Sequence, residues 1–449
     1  MSNIRNKIFF TFSWLFVAIL SIAQTKVNSP YSRLGLGDLL DQNYAALNGM
    51  GNLSASYNDP YHVNLLNPAS LSSLRATAFE IGMRAKYANL KAGDNQSNVW
   101  SGSLGYISLA FPIFNPISEA MERRESLVDW GMNLALVPYS IVGYNIETTE
   151  QREDIGLITS NFEGSGTTYK FIWGNGFRIK NLAFGANLGF IFGKLSRDQT
   201  VTFDSLVGSY QNIFHDDLSL NGFVWNAGVQ YTIKLKSSTN NKNVKTEKPA
   251  KINKIVLGLY GNSDMNINSD GSQMYQRYNR YYNDVDTIRN IPTTTYPAKL
   301  PTEFSGGFMY HKGDKLKLGV NYSQSLWSKY ENEAKPDELK DTYEISIGGQ
   351  LIPDYGSYNN YAKTMRYRVG AFYGTDPRSD GFNKQLTRYG ITLGLGFPII
   401  IPRQTASYVD IAFEIGKFGS ADALQETYFG TTIGFTLNDD KWFIKRKFN

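Results

Sequence analysis

Three histidines are the chain's whole stock of near-neutral general bases, and their spacing does not assemble them: His62, His215 and His311 stand far apart in 449 residues that contain no cysteine. A Ser-His-Asp set needs its base and an orienting carboxylate within hydrogen-bond reach of one nucleophile. These histidines fall in separate segments, so no such set is suggested. His215-Asp216-Asp217 has donor types that suit a divalent cation, but adjacent residues on one loop ordinarily face water. The glycines of GLGDL and GITLGLGF stand neither in phosphate-cradling order nor between a strand and a helix. The expectation is a protein that is not an enzyme and holds no metal and no cofactor.

What remains is charge and its placement. Lys and Arg number 45 against 40 Asp and Glu, and the net +5 is spread along the chain without a dense basic block, which argues against a nucleic-acid partner. Aromatic residues make up 14% and glycine contributes 41 positions, a β-rich composition that fits one large domain better than several small ones.

The N-terminus predicts export. Arg5 and Lys7 precede an apolar run from Ile8 to Ile22, and Ser21-Ile22-Ala23 supplies the small residues of a cleavage site, so residues 1–23 read as a signal peptide. Beyond it no 18 consecutive apolar residues occur, and the recurring signal is period-two alternation. In YGITLGLGF, Tyr389, Ile391, Leu393, Leu395 and Phe397 share one face and Gly390, Thr392, Gly394 and Gly396 the other. Such segments lie at about 77–90, 99–113, 130–146, 167–178, 182–193, 218–235, 252–266, 301–311, 316–327, 343–353, 366–373, 386–398, 407–416 and 426–437, fourteen in all. Strands that turn an apolar face outward and small or polar residues inward suit lipid, where an open sheet edge cannot be satisfied. The predicted fold is all-β: a transmembrane antiparallel β-barrel over residues 77–449, with residues 24–76 as an N-terminal plug.

Strand parity then places the charges. Glu80, Arg84, Lys86, Glu344, Arg366, Arg368, Asp410 and Glu414 face the lumen, where they are expected to pair into a rigid filling. Arg84, Arg366 and Arg368 are the expected clamps for Asp38 and Asp41 of the plug, or for Glu80 and Glu344. Three outer connections are expected to be long loops of about 20, 24 and 34 residues, the longest rich in Tyr and Arg and placed either to bind a partner or ligand or to cap the mouth. Tyr281 of that loop should be accessible from outside and Lys245 should not. Trp173, Trp225, Trp327 and Trp442 are expected at the membrane interfaces.

At the junction of plug and first strand the sequence reads NLLNPASLSSL, residues 64–74. Pro68 fixes its own φ and pushes Asn67 toward extended backbone, which makes a rigid corner. GMGNLSASYNDPYHVNLLNPASLSSL resembles the N-terminal hatch of FadL-type outer-membrane barrels, with Asn67, Pro68, Ala69 and Leu71 matching the corner and Ser70 standing in place of the usual Gly. The resemblance implies a fourteen-stranded barrel in the outer membrane of a Gram-negative bacterium that passes hydrophobic small molecules, with a movable hatch and a lateral gap at a kink in the third strand. Pro138 lies in that strand and removes a ladder hydrogen bond. The fold also includes relatives that act as accessory subunits of secretion or assembly machines, and the charged lumen suits them. The expected partners are therefore outer-membrane lipid, a hydrophobic ligand if any, and other outer-membrane or periplasmic proteins; a general polar pore is a third reading.

Overall fold

A computed structural model describes residues 29–113, 127–235, 253–279, 281–399 and 406–439. The signal peptide, Lys245 and Trp442 lie outside the described residues. Among those described, fourteen strands close one antiparallel barrel: β1 (Thr77–Ala92), β2 (Asn95–Pro112), β3 (Asp129–Arg152), β4 (Gly156–Ile179), β5 (Leu182–Phe203), β6 (Gln211–Lys234), β7 (Asn253–Asn262 continuing as Met265–Asn279), β8 (Asp284–Leu300 continuing as Glu303–Lys312), β9 (Leu316–Ser325), β10 (Thr342–Leu351), β11 (Arg366–Ser379), β12 (Gln385–Ile399), β13 (Ser407–Gly419) and β14 (Gln425–Asp439). Closure comes from β14 on β1, in register from Asp439 opposite Thr77 to Gln425 opposite Lys91. The end where β1 begins is called inner and the opposite end outer.

Alternation explains the wall. Phe184, Leu188, Phe190 and Phe192 of β5 are exposed on the outer face, as are Ile391 and Leu393 of β12, because lipid is their solvent. Trp173 and Trp225 also face outward. Trp327 does not: it sits on a short 3-10 turn (Trp327–Lys329) and is 3% exposed, packed with Leu36, Tyr139 and Tyr330 in an apolar cluster beneath the outer mouth. The expectation of an interface position for Trp327 fails because the residue follows its strand and turns inward over the lumen.

The outer connections also differ from expectation. The segments read as long loops are strand: β3 and β4 run 24 residues each, β5 runs 22 and β6 runs 24, with turns only at 153–155 and 204–210. The Tyr- and Arg-rich stretch is the hairpin of β7 and β8, paired from Met265–Leu300 to Asn279–Asp284. Six neighbouring strands thus rise past the others as one wall, and Tyr281 stands exposed at its tip. Alternation could not reveal these extensions, since both faces of the wall carry polar residues once it leaves the apolar band.

Residues 29–76 lie inside the barrel, as a 3-10 turn (Pro30–Arg33), a two-residue strand (Asp38–Leu39), a one-turn helix (Ala45–Asn48) and a second 3-10 turn (Pro68–Ser73). Regular structure is scarce here because the segment's backbone finds its partners on the barrel wall instead.

Candidate functional site: the hatch and its seam

The wall has a seam. The ladder between β2 and β3 stops at Ile107 opposite Leu136, and the next β3 residue but one is Pro138, which has no N–H to donate. Against β4 the register slips here, Pro138 facing Tyr169 and Ser140 facing Thr168, so Tyr139 is the extra residue of a β-bulge. Above the bulge the hatch takes over the edge of β3: Asp38 and Leu39 pair with Ile141 and Ser140, Leu40 donates its N–H to the Tyr139 carbonyl at 2.9 Å, and Ser29 donates to Gly143 at 3.2 Å. Gly37 permits the approach. Its φ is +90°, and a Cβ there would lie 2.5 Å from the Ile141 carbonyl oxygen.

Ion pairs hold the hatch at two levels. At the outer end Arg378 binds Asp38 at 2.5 Å and the Tyr31 carbonyl at 3.0 Å, while Arg388 pairs with Asp41. Arg84 donates to the Asn43 carbonyl at 2.7 Å. Deeper in, Asp59 accepts from Lys317 at 2.9 Å and Arg366 at 3.1 Å, and His62 bridges Asp59 and Asp410 at 3.2 and 2.8 Å. Arg368 pairs with Asp410 and donates to Gln350 at 2.8 Å; Glu80 accepts the Val63 N–H at 2.7 Å. Asp59, His62, Glu80, Arg366, Arg368 and Asp410 are all buried. Burial pushes the Asp59 carboxyl up, but the Arg366 guanidinium and the Lys317 ammonium outweigh it and hold the group well below the usual carboxylate range. Buried charges are tolerated only where each finds its partner, so the arrangement specifies one position of the hatch more than it adds stability.

The remaining lumen charges stay near the wall: Lys86 pairs with Glu426 at 3.0 Å, Glu414 accepts from Tyr428 at 2.6 Å, and Glu344 accepts from Ser346 at 3.3 Å. The expected clamps are thus redistributed. Arg366 reaches the hatch at Asp59, Arg84 reads only backbone, and Arg368 stays on a wall carboxylate, whereas Asp38 and Asp41 are held by Arg378 and Arg388. Arg388 shares the parity of Gly390 and could have been found by alternation; Arg378 lies within the register shift between Thr375 and Ser379, through which alternation does not count. Asp59 and His62 lie in a segment with no periodicity to reveal them.

Beside the ion pairs, barrel amides read the hatch backbone. Asn187 donates to Leu65 at 2.7 Å, Asn226 to Leu66 at 2.8 Å, and Gln230 to both Ala55 and Tyr57 at 3.1 Å. The corner is buried: Asn67 accepts the Ala69 N–H at 3.1 Å and donates to the Ala55 carbonyl at 2.6 Å, and Pro68, Ala69 and Leu71 pack beneath the wall. Inward glycines leave room for this contact, for a Cβ at Gly258 would stand 1.9 Å from the Ala55 carbonyl oxygen. A cavity of about 190 Å³ lies between the hatch strand and β1, β2 and β13, and its lining mixes charged side chains, Asp41, Arg84, Arg388 and Glu414 among them, with apolar ones such as Leu40, Ile141 and Phe418. His215 is held between Asp198 and Asp217, and among the described residues no group of three or more His, Asp or Glu is placed to hold a metal ion.

The same architecture occurs in solved structures. A FadL homologue of Pseudomonas aeruginosa superposes with a TM-score of 0.55 at 12% identity, over 90% of this chain and 99% of that one. The toluene transporter TbuX of Ralstonia pickettii gives 0.52 at 12% identity, over 93% and 100% of the two chains. The Pseudomonas putida toluene transporter TodX gives 0.54 at 14% identity, over 88% and 98%. At such identities the likeness is one of fold. No curated protein matches the sequence, and the model of one protein family, BamG, matches residues 4–449.

Proposed function

Because the chain belongs to the BamG family, we propose that it is a non-transporting accessory subunit of a multi-protein outer-membrane complex, of the protein-assembly or secretion kind. The observation that carries this reading is how firmly the hatch is fixed: it is joined to the wall by buried ion pairs at Asp38 and Asp59 and by amides that read its backbone at Leu65 and Leu66. A gate that must open on each passage of substrate gains nothing from so many desolvated charges, whereas a scaffold gains rigidity. On this reading the barrel sits in the outer membrane of a Gram-negative bacterium, with the inner end toward the periplasm, carries out no catalysis, and meets lipid on its apolar face and protein at its ends. A second reading, passage of hydrophobic small molecules, is favoured by one feature, the seam between β2 and β3, and by the fold shared with the toluene transporters.

One experiment separates them. Cells carrying a chain that lacks residues 27–60 are assayed for hydrophobic-dye entry and for recovery of co-purifying proteins from detergent-solubilised outer membranes. Lost partners with unchanged entry support the accessory role; altered entry with every partner retained discards it in favour of transport.

A further inference from the structure

The hatch and seam leave the outer wall without a role. Strands β3 to β8 carry it well past the point where β9 to β14 stop, and its two faces differ in chemistry. On the face toward the barrel axis, the register sets Ile146, Phe162, Gln199, Phe214, Tyr275 and Arg289 in one row across the six strands. Phe214 meets Tyr275 edge to face at 5.0 Å, Arg289 lies 5.7 Å from the Tyr275 ring centre, and Arg33 of the hatch covers Phe162 at 4.2 Å. Arg277 stands one row higher, opposite Asn212. Both Arg277 and Arg289 are exposed, and Phe214 and Tyr275 are half-buried.

The charge also divides by face. Toward the axis stand Arg33, Arg152, Arg197, Arg277, Arg289 and Lys335 against the carboxylates Glu150, Asp216, Asp284, Asp286 and Asp337, a surplus of one positive charge. The opposite face carries Glu147, Glu163, Asp198, Asp217 and Asp270 against Lys194, a surplus of negative charge. Strand parity alone produces this split. Exposed arginines interleaved with aromatic rings are the composition of protein-docking centres, where rings supply rigid contact area and guanidinium groups take carboxylates. The β8 edge of the wall is unsuited to docking by strand addition, since β8 carries Pro292, Pro297 and two register shifts there.

We infer that the axis-facing side of this wall, centred on Phe214, Tyr275, Arg277 and Arg289, is a docking surface for an acidic polypeptide segment of a partner protein. The inference rests on the accessory reading and names the surface and the partner's chemistry. Electrostatic steering makes such an encounter fast and salt-sensitive, with the rings setting the dissociation rate.

The test uses the full-length protein in detergent and a short fluorescein-labelled peptide of alternating Glu and Tyr, followed by anisotropy. The expected result is binding that weakens with salt, is lost with a Lys-Tyr peptide, and falls by roughly tenfold or more in Arg277→Glu/Arg289→Glu, while Glu163→Lys on the other face leaves it unchanged. Equal binding by the double variant, no binding by the wild type, or tighter binding of an acidic polysaccharide than of the peptide overturns the inference. The near-ultraviolet circular dichroism of the double variant, expected to match wild type, separates loss of the surface from loss of the fold. If peptide binding is absent while partners still co-purify, the face is wrong and the accessory role stands; if no partner co-purifies from the wild type, the accessory role itself is wrong.

Discussion

Replacing Asp59 by Ala is the sharpest probe of what keeps the hatch in place. The carboxylate is shared by Lys317 at 2.9 Å and Arg366 at 3.1 Å, and its removal leaves both cations buried without it. Breaking a buried pair in this way costs roughly 3–5 kcal/mol. Two contacts soften the loss here: Lys317 keeps the Asn58 carbonyl at 3.3 Å, and Arg366 remains 4.1 Å from the Tyr408 ring centre, so the lower bound of about 3 kcal/mol applies. If that energy is spent on hatch detachment, the open population rises on the order of 10²-fold. The chain has no cysteine, so a single reporter suffices: Ser56→Cys places a thiol in the hatch at a site 3% exposed. Maleimide labelling of this thiol in folded protein, in the wild-type and Asp59→Ala backgrounds, reads the open fraction directly. Adding Lys317→Met to Asp59→Ala should recover part of the protection, because one stranded cation is then gone. A labelling rate within about twofold of the parent refutes the view that this cluster holds the hatch.

The same reporter tests the other contacts. Gly258→Val drives a side chain into the Ala55 carbonyl oxygen, 1.9 Å from where its Cβ falls, and should destabilise hatch seating by roughly 1–3 kcal/mol, seen as faster Ser56→Cys labelling with the barrel still resistant to denaturation in cold detergent. Burial, the largest influence on His62, pushes its imidazole down, yet the Asp410 carboxylate 2.8 Å away carries it above its ordinary 6.5. A raised value in the folded state means that its contribution is fully present below pH 6.5 and is lost as pH climbs through the raised value. Labelling rates, divided by those of the denatured chain, should therefore increase on the alkaline side, and His62→Gln should flatten that rise. On the lipid face, Leu393→Arg at mid-strand should cost roughly 2–4 kcal/mol in urea unfolding from vesicles, and wild-type stability would mean that the outward face is misassigned.

Alternation of apolar and small residues determined the fourteen strands and the side each turns to lipid, because a barrel wall exposes its two faces to different solvents along its whole membrane-crossing length. Leu393 outside and Asp410 inside are legible for that reason. The corner at Asn67 and Pro68 was legible too, since proline and asparagine act on the backbone locally. Where both faces meet water, as in the extensions of β3 to β8, parity no longer alternates apolar with polar residues, and strand passed for loop until cross-strand pairing made it visible. Trp327 shows the same limit, for a single aromatic residue does not say whether its turn points toward lipid or over the lumen. The partners of Asp38, Asp41 and Asp59 depended on register, bulge position and the path of a segment without regular structure. Those are properties of the closed barrel: its curvature brings Arg366, Arg378 and Arg388 to a hatch some three hundred residues away, and only the assembled tertiary structure decided which charge meets which.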